Sequence, residues 1–155
     1  MPEVESPAPR KFDCTPYQDL FERLGDGVAG MQFERATAVI VQDILENYEG
    51  FRNVRKGPGH WGTPFDFFGF KDGYPYIIEY KGSRKSFNAP GETQKRRLQE
   101  VLSLIKGLKV ALLQVKIADC QYRILYHEQV QAFFQERRAP LEPIIAWIKE
   151  QIASA

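Results

Sequence analysis

The sequence has no long apolar run, and it contains only two cysteines among its 155 residues. No stretch of about 18 or more apolar residues exists, so we expect no membrane span. The first ten residues are acidic and rich in proline and lack an apolar core, which does not fit a secretory signal peptide. We therefore expect a cytoplasmic protein.

Cysteine chemistry is a poor explanation of function for this chain. Cys14 and Cys120 lie far apart in the sequence, and neither belongs to a CxxC motif or a Cys/His cluster. This spacing argues against zinc sites and thiol redox centres. We expect two free thiols, as is usual in a reducing compartment.

The length predicts one domain, since a single core typically organises ~100–200 residues. We expect a disordered tail over residues 1–12 and one domain over residues 13–155. Its core would cover about residues 31–126, and C-terminal helices would follow over residues 127–152.

Charge is unevenly distributed along the chain. Residues 1–50 contain 4 Lys/Arg and 10 Asp/Glu, net −6, whereas residues 51–115 contain 12 and 5, net +7. A basic excess of this kind suits a polyanionic partner such as nucleic acid. Chance clustering on a balanced surface is the alternative.

The hydrophobic pattern predicts helices and strands in mixed order. This order describes an α/β fold in which helices flank a mixed central β-sheet. Helices are expected at 17–24, 31–48, 92–106, 127–137 and 141–152, and strands at 51–55, 65–70, 76–81, 108–116 and 121–126.

A two-residue hairpin is a strong local signal. Asp72-Gly73 separates two apolar strands, and a turn formed by these two residues pairs Lys71 with Tyr74. The same register continues along both strands and places Asp66 directly opposite Glu79. The register follows from the turn, so no assumption about the two acids enters it.

The facing carboxylates need a compensating cation. The strands around Asp66 and Glu79 are apolar on both faces, as buried central strands are, and buried like charges require a counter-charge or a shared proton. Lys81 lies two residues beyond Glu79 on the same face. A divalent cation such as Mg²⁺ or Mn²⁺ would compensate more fully. An exposed hairpin with an incidental Asp-Glu-Lys cluster is the alternative.

Two helices present polar residues towards the sheet. On a helical wheel Glu34 shares the line of Val41 and Leu45 and therefore points inward. It would either be stabilised by the positive end of its helix or reach the same metal site. Gln94 lies on the apolar line of the helix predicted at 92–106, either as a satisfied core glutamine or as part of the site.

Basic residues border this predicted site. We expect them to contact a nucleic-acid backbone, although a solvated surface is the alternative. Because Gln94 points toward the sheet, Lys95 and Arg97 should flank it at the rim of the site. The predicted nucleic-acid-binding residues are Arg55, Lys56, His60, Arg84, Lys85, Lys95, Arg96 and Arg97.

In order and spacing, these motifs resemble the PD-(D/E)xK nuclease superfamily, and most closely the archaeal-type Holliday-junction resolvases and related small nucleases. The resemblance covers about residues 31–115. Phe65 separates Pro64 from Asp66, so the literal proline–aspartate pair is absent. The matching motifs are Glu34 on a helix, Gly62-Thr63-Pro64-Phe65-Asp66, Lys71-Asp72-Gly73 and Glu79-Tyr80-Lys81-Gly82-Ser83.

The resemblance implies a restriction-endonuclease-like core and a role for each residue. Glu34, Asp66 and Glu79 would bind the metal ion, with the Tyr80 backbone carbonyl as a further ligand. Lys81 would position or activate the attacking water. Gln94 is similar to a glutamine found on the following helix in several members. The segments before Met31 and after Tyr126 match no family, which leaves the substrate in doubt.

We therefore predict a Mg²⁺- or Mn²⁺-dependent phosphodiesterase that cleaves DNA rather than RNA, as an endonuclease rather than an exonuclease. A nuclease fold that only binds nucleic acid is one alternative, and the complete Asp66/Glu79/Lys81 set argues against it. The other is an interaction protein. In that case the apolar stripe of the last helix, from Leu141 to Ile152, would be a homodimer interface instead of core.

Overall fold

Six strands form the centre of the computed structural model, which describes residues 7–58, 65–136 and 142–154. Their order in the sheet is β1-β6-β5-β4-β3-β2. Strands β4 and β5 pair in parallel, and the other neighbouring strands pair antiparallel, so the sheet is mixed as predicted. The strands are β1 (Arg10–Lys11), β2 (Arg52–Lys56), β3 (Phe67–Lys71), β4 (Tyr74–Ser83), β5 (Lys109–Lys116) and β6 (Gln121–Leu125).

Helices accompany this sheet, which confirms the α/β class. A π-helical turn at Ile44–Tyr48 continues directly from α3. Within the described ranges, no helix has the length and apolar character needed to cross a membrane. The helices are α1 (Gln18–Arg23), α2 (Gly30–Ala36), α3 (Ala38–Asp43), α4 (Glu92–Leu104), α5 (His127–Glu136) and α6 (Glu142–Ala153).

The predicted hairpin register is confirmed. Asp72 and Gly73 have φ values of 53° and 81°, as the first and second loop residues of a two-residue hairpin turn of type I′ require. Lys71 pairs with Tyr74, and the ladder runs back to Phe67 opposite Ile78. Strand β4 is therefore aligned as the turn dictates.

Strand β4 is buried on both faces, which rules out the exposed hairpin. Ile78 and Tyr80 pack in a cluster that includes Ile40 of α3. Ile77 packs on the opposite face, in a cluster that includes Leu98 of α4. Because side chains alternate along a strand, Glu79 and Lys81 share the face of Ile77, beneath α4.

The helix predicted at 31–48 is not continuous. It is interrupted at Thr37, which separates α2 from α3. The Thr37 hydroxyl contacts the Phe33 carbonyl oxygen at 2.8 Å and the Tyr80 hydroxyl at 2.6 Å. A threonine whose hydroxyl bonds to the preceding turn and to a neighbouring strand stabilises a local departure from helical geometry.

The prediction of two free thiols is wrong. Cys14 and Cys120 form a disulfide with a Cα–Cα distance of 5.8 Å. Arg10 and Lys11, which we had placed in the disordered tail, pair with Tyr122 and Gln121. This pairing places the N-terminal segment beside the turn before β6, a long-range contact that cysteine spacing cannot reveal.

Candidate active site

Four segments bring five predicted side chains together at the carboxyl end of β4. Strand β4 supplies Glu79 and Lys81, and the residue before β3 supplies Asp66. Glu34 comes from α2, and Gln94 comes from the first turn of α4. The helical-wheel prediction that Glu34 and Gln94 point toward the sheet is therefore confirmed.

Lys81 lies between two carboxylates. Its Nζ is 3.7 Å from Oε1 of Glu79 and 3.9 Å from Oε1 of Glu34. The side-chain amide of Gln94 donates a hydrogen bond to the same Oε1 of Glu79 at 3.1 Å. Glu79 is 2% exposed as a residue, so this lysine and glutamine are its principal compensation in the described structure.

Asp66 takes a position that differs from the prediction. The β3–β4 ladder ends at Phe67, so Asp66 precedes the paired strand and is not directly opposite Glu79. Its Oδ2 accepts a hydrogen bond from the backbone amide of Tyr80 at 2.8 Å. A side-chain oxygen therefore satisfies the amide that a longer ladder would have paired with a backbone carbonyl, and the carboxylate still reaches the cluster.

Three carboxylates in this cluster have raised pKa values. Burial raises the pKa of Glu79 well above its usual value, and Asp66 raises it further, against the opposing effect of Lys81. Burial raises the pKa of Glu34 to about 7. Asp66 is exposed as a residue, yet desolvation of its carboxylate raises its pKa more than the Tyr80 amide lowers it. One lysine does not offset three acids.

This donor set fits a hard divalent cation. Carboxylate oxygens are the ligands that Mg²⁺ and Mn²⁺ prefer, and a cation would stabilise the charged carboxylates, whose pKa values are raised mainly by desolvation. Among the described residues, no group of three or more His, Cys, Asp or Glu side chains is already spaced to hold a metal. The ammonium of Lys81 lies close to two of the carboxylates, at 3.7 Å from Glu79 and 3.9 Å from Glu34.

Two residues that we had not predicted as part of the site, Phe33 and Thr37, fix the geometry of β4 against α2. The hydroxyl of Tyr80 contacts Thr37, and Phe33 and Tyr80 are both 1% exposed. A Cβ on Gly82 would overlap the Tyr80 hydroxyl. The small residue after Lys81 is the sequence signal that could have indicated this close packing.

A cleft of about 490 Å³ opens beside the carboxylates, between α2 and the end of β2. Glu34 and Asp66 lie in its wall together with basic and apolar residues. Among the lining residues, Arg35 and Phe65 were not predicted as site residues, although each directly adjoins a predicted acid in the sequence. The basic and apolar residues in its wall include Met31, Arg35, Lys56 and Phe65.

The predicted nucleic-acid-binding residues occupy different environments. Lys56 lines the cleft, and Lys85 and Arg96 are exposed. Arg84 donates to the carbonyl oxygens of Gly25 and Val28 at 2.6 and 2.8 Å, so its guanidinium already holds a loop.

Lys95 is not at the rim of the site, contrary to the prediction. It is 3% exposed, and its Nζ lies 3.1 Å from Glu92. Arg97 is half-buried, and the Arg55 guanidinium lies 5.6 Å from the centroid of the Phe68 ring. His60 and the Gly62-Thr63-Pro64 motif lie outside the described residues.

A scan against protein-family models and a search of curated proteins found no match to this chain.

Proposed function

We propose that this protein is a metal-dependent nuclease that hydrolyses phosphodiester bonds in nucleic acid. The observation that supports it best is the convergence of Glu34, Asp66 and Glu79 around Lys81, with raised carboxylate pKa values. Desolvated acids in one cluster destabilise a fold, and such clusters are found where a charge-dependent task requires them. Binding a cation and a phosphate is such a task.

Each side chain has a role in this proposal. Glu34, Asp66 and Glu79 would hold one or two Mg²⁺ or Mn²⁺ ions, with the Tyr80 carbonyl as a further ligand, and the metal would supply phosphate charge neutralisation and a more acidic water. Lys81 donates hydrogen bonds that orient the attacking water or stabilise the developing negative charge. Gln94 holds Glu79 in place.

We further propose a restriction-endonuclease-like core, DNA as substrate in preference to RNA, and endonucleolytic cleavage. These finer assignments rest on the resemblance to PD-(D/E)xK nucleases and on the basic segment at 51–115. Backbone contacts from basic residues such as Lys85 and Arg96 would be independent of sequence. The cytoplasmic location stays a prediction, and the Cys14–Cys120 disulfide argues against it because disulfides are rare in reducing compartments.

The test is cleavage of labelled DNA and RNA substrates, single-stranded, duplex and branched, with Mg²⁺, with Mn²⁺ and with chelator. We expect metal-dependent cleavage that Asp66→Ala and Glu79→Ala each abolish while the protein stays folded. Glu100→Ala, an exposed acid on α4, is the matched control and should cleave like wild type. Cleavage by either site variant at the wild-type rate would refute the assignment.

A second measurement does not depend on turnover. Mg²⁺ or Mn²⁺ should raise the melting temperature of the wild type and not of the double variant Asp66→Ala/Glu79→Ala, since a ligand that binds only the native state stabilises it. Equal shifts in both proteins would mean that the cation binds elsewhere.

One observation favours a second function, as an interaction protein. The last helix, α6, exposes Ile145, Trp147, Ile148 and Ile152, with 47–71% of each residue accessible. Apolar exposure of this extent on one helix is typical of an interface. A homodimer formed through α6 is compatible with nuclease activity, and sedimentation of wild type and Trp147→Glu would test it.

A further inference from the structure

The cleft beside the carboxylates has the size of a small-ligand site. Its volume of about 490 Å³ falls in the range of about 300–1,000 Å³ that is typical of such pockets. A single nucleotide is small enough for a pocket of this size. Glu34 and Asp66 form part of its wall, so an occupant would lie next to the scissile phosphate of a bound strand.

Apolar side chains in the cleft suit a nucleobase. Phe65, the residue before Asp66, is half-buried and lines the cleft. Met31 on α2 also lines it, with 68% of the residue exposed. Bases stack on aromatic rings without regard to sequence, and a methionine thioether adapts to a flat apolar partner. A partly exposed aromatic side chain beside these acidic groups would thus receive a base that has left its stack.

Two cations in the same cleft suit a phosphate. Arg35 and Lys56 are exposed and line the cavity. In the part of the chain that the structure describes, the ion pairs of Glu34 and Glu79 are with Lys81 and involve neither cation. Arg35 and Lys56 are therefore available for an anion, and guanidinium and ammonium groups both bind phosphate oxygens.

We propose that this cleft binds one unpaired nucleotide next to the scissile phosphate, with its base against Phe65 and its phosphate held by Arg35 and Lys56. The proposal rests on the nuclease function above and specifies its substrate class. Substrates are strands that have an unpaired nucleotide at the cut site, such as single strands, flaps and branch points. A continuous duplex is a poor substrate because extruding a base costs unstacking energy.

The first test compares one sequence as a single strand and as a duplex. Single abasic sites are then placed at successive positions around the cut in the single strand. Wild type should cleave the single strand at least ten times faster than the duplex. One abasic position should slow cleavage by about 5- to 150-fold, the range expected for loss of one base–aromatic stack.

Phe65→Leu separates stacking from packing, because leucine keeps an apolar side chain and removes the aromatic face. It should slow single-strand cleavage and lose most of the sensitivity to the abasic position. Phe70→Leu is the matched control, since Phe70 is a half-buried aromatic residue of β3 that does not line the cleft. Arg35→Ala should weaken single-strand binding, and Arg52→Ala, an exposed arginine of β2, is its control.

Binding provides a readout apart from cleavage. Fluorescence anisotropy in chelator, with every protein in the Asp66→Ala background, should show that Phe65→Leu weakens binding of the single strand and leaves duplex binding unchanged. Equal cleavage of both substrates by wild type, with no effect of Phe65→Leu, would overturn the nucleotide site and leave the nuclease assignment standing. Failure of wild type to cleave or bind any nucleic acid would overturn both.

Discussion

Gly82 and Tyr80 show how single residues set the spacing of the carboxylate cluster. A Cβ on Gly82 would lie 2.7 Å from Cζ of Tyr80 and 3.2 Å from Cε1 of Phe33. Glycine at this position therefore leaves room for the tyrosine ring, whose hydroxyl contacts Thr37. That contact joins β4 to the junction of α2 and α3, one helical turn from Glu34.

The raised pKa of Glu34 predicts how the stability of the fold depends on pH. Its pKa is about 7 in the folded protein against an ordinary value of 4.5, so the folded state binds the proton more tightly between these values. In chelator, the Glu34 contribution to the free energy of unfolding should therefore fall as pH rises through this window and level off above about 7. The contribution of Glu34 is at most about 3 kcal/mol.

Glu34→Gln removes this titration and should make the pH profile flatter. At pH 8 the variant should be more stable than wild type by about 2 kcal/mol, because the charged form is the costly one. The measurement is urea denaturation in EDTA from pH 4.5 to 8. Glu100→Gln, on the exposed surface of α4, should follow wild type. Superimposable profiles for Glu34→Gln and wild type would contradict the prediction.

At the scale of elements, the predictions that succeeded were those decided by local geometry. The Asp72-Gly73 turn sets the β3–β4 register through its own backbone conformation. The direction of Glu34 follows from helical periodicity. The interruption at Thr37 was not predictable, because it depends on a hydroxyl contact with Tyr80, which is 43 residues away.

Within one turn of α4, helical periodicity predicted the position of one side chain correctly and of another wrongly. Periodicity placed Gln94 toward the sheet, and its amide does contact Glu79. Periodicity alone also left Lys95 at the rim, whereas packing buries it beside Leu98. Lysine is mostly exposed in proteins, so its residue type favoured an exposed Lys95. Tertiary contacts bury it instead.

The basic residues around α4 differ in exposure, because Lys95 is buried and the others are not. Lys85 and Arg96 are exposed and can reach a phosphate backbone. Replacing both with alanine should reduce the salt dependence of DNA binding by about 1.8 in log–log slope, since each duplex phosphate contact contributes roughly 0.9. Binding titrations at several salt concentrations, in the Asp66→Ala background, measure this slope.

Two controls distinguish a local surface from net charge. The double variant Arg23→Ala/Lys149→Ala removes two other exposed basic residues and should leave the slope near the wild-type value. Lys95→Ala should instead lower the free energy of unfolding, because it removes the packing contacts of a buried side chain. An equal loss of slope in both double variants would mean that binding follows overall charge and not this surface.

At the scale of the whole molecule, the N-terminal segment adds strand β1 to one edge of the sheet. Besides pairing with β6, it places Arg10 3.0 Å from the buried carboxylate of Glu49. The same carboxylate accepts hydrogen bonds from the hydroxyls of Tyr122 and Tyr126 at 2.6 and 2.7 Å. A buried acid with three donors is well satisfied, and it connects the segment to the end of the π-helical turn and to β6.

The Cys14–Cys120 disulfide attaches the N-terminal segment to the sheet covalently, and its removal should lower the stability of the fold. Cys14 and Cys120 are separated by 106 residues, and a closed loop of that length constrains the unfolded chain by about 4 to 5 kcal/mol in the chain-entropy model. Measured effects are commonly smaller, so we expect reduction to lower the free energy of unfolding by about 2 to 4 kcal/mol. Guanidinium denaturation with and without dithiothreitol measures the difference.

The double variant Cys14→Ser/Cys120→Ser should resemble the reduced wild type and be insensitive to reductant. The proposed nuclease activity should survive reduction at low temperature, because the side chains of the candidate site come from α2, α4, β4 and the residue before β3. Identical denaturation curves for oxidised and reduced wild type would show that the pairing of β1 with β6 and the Arg10–Glu49 ion pair hold the segment without the disulfide.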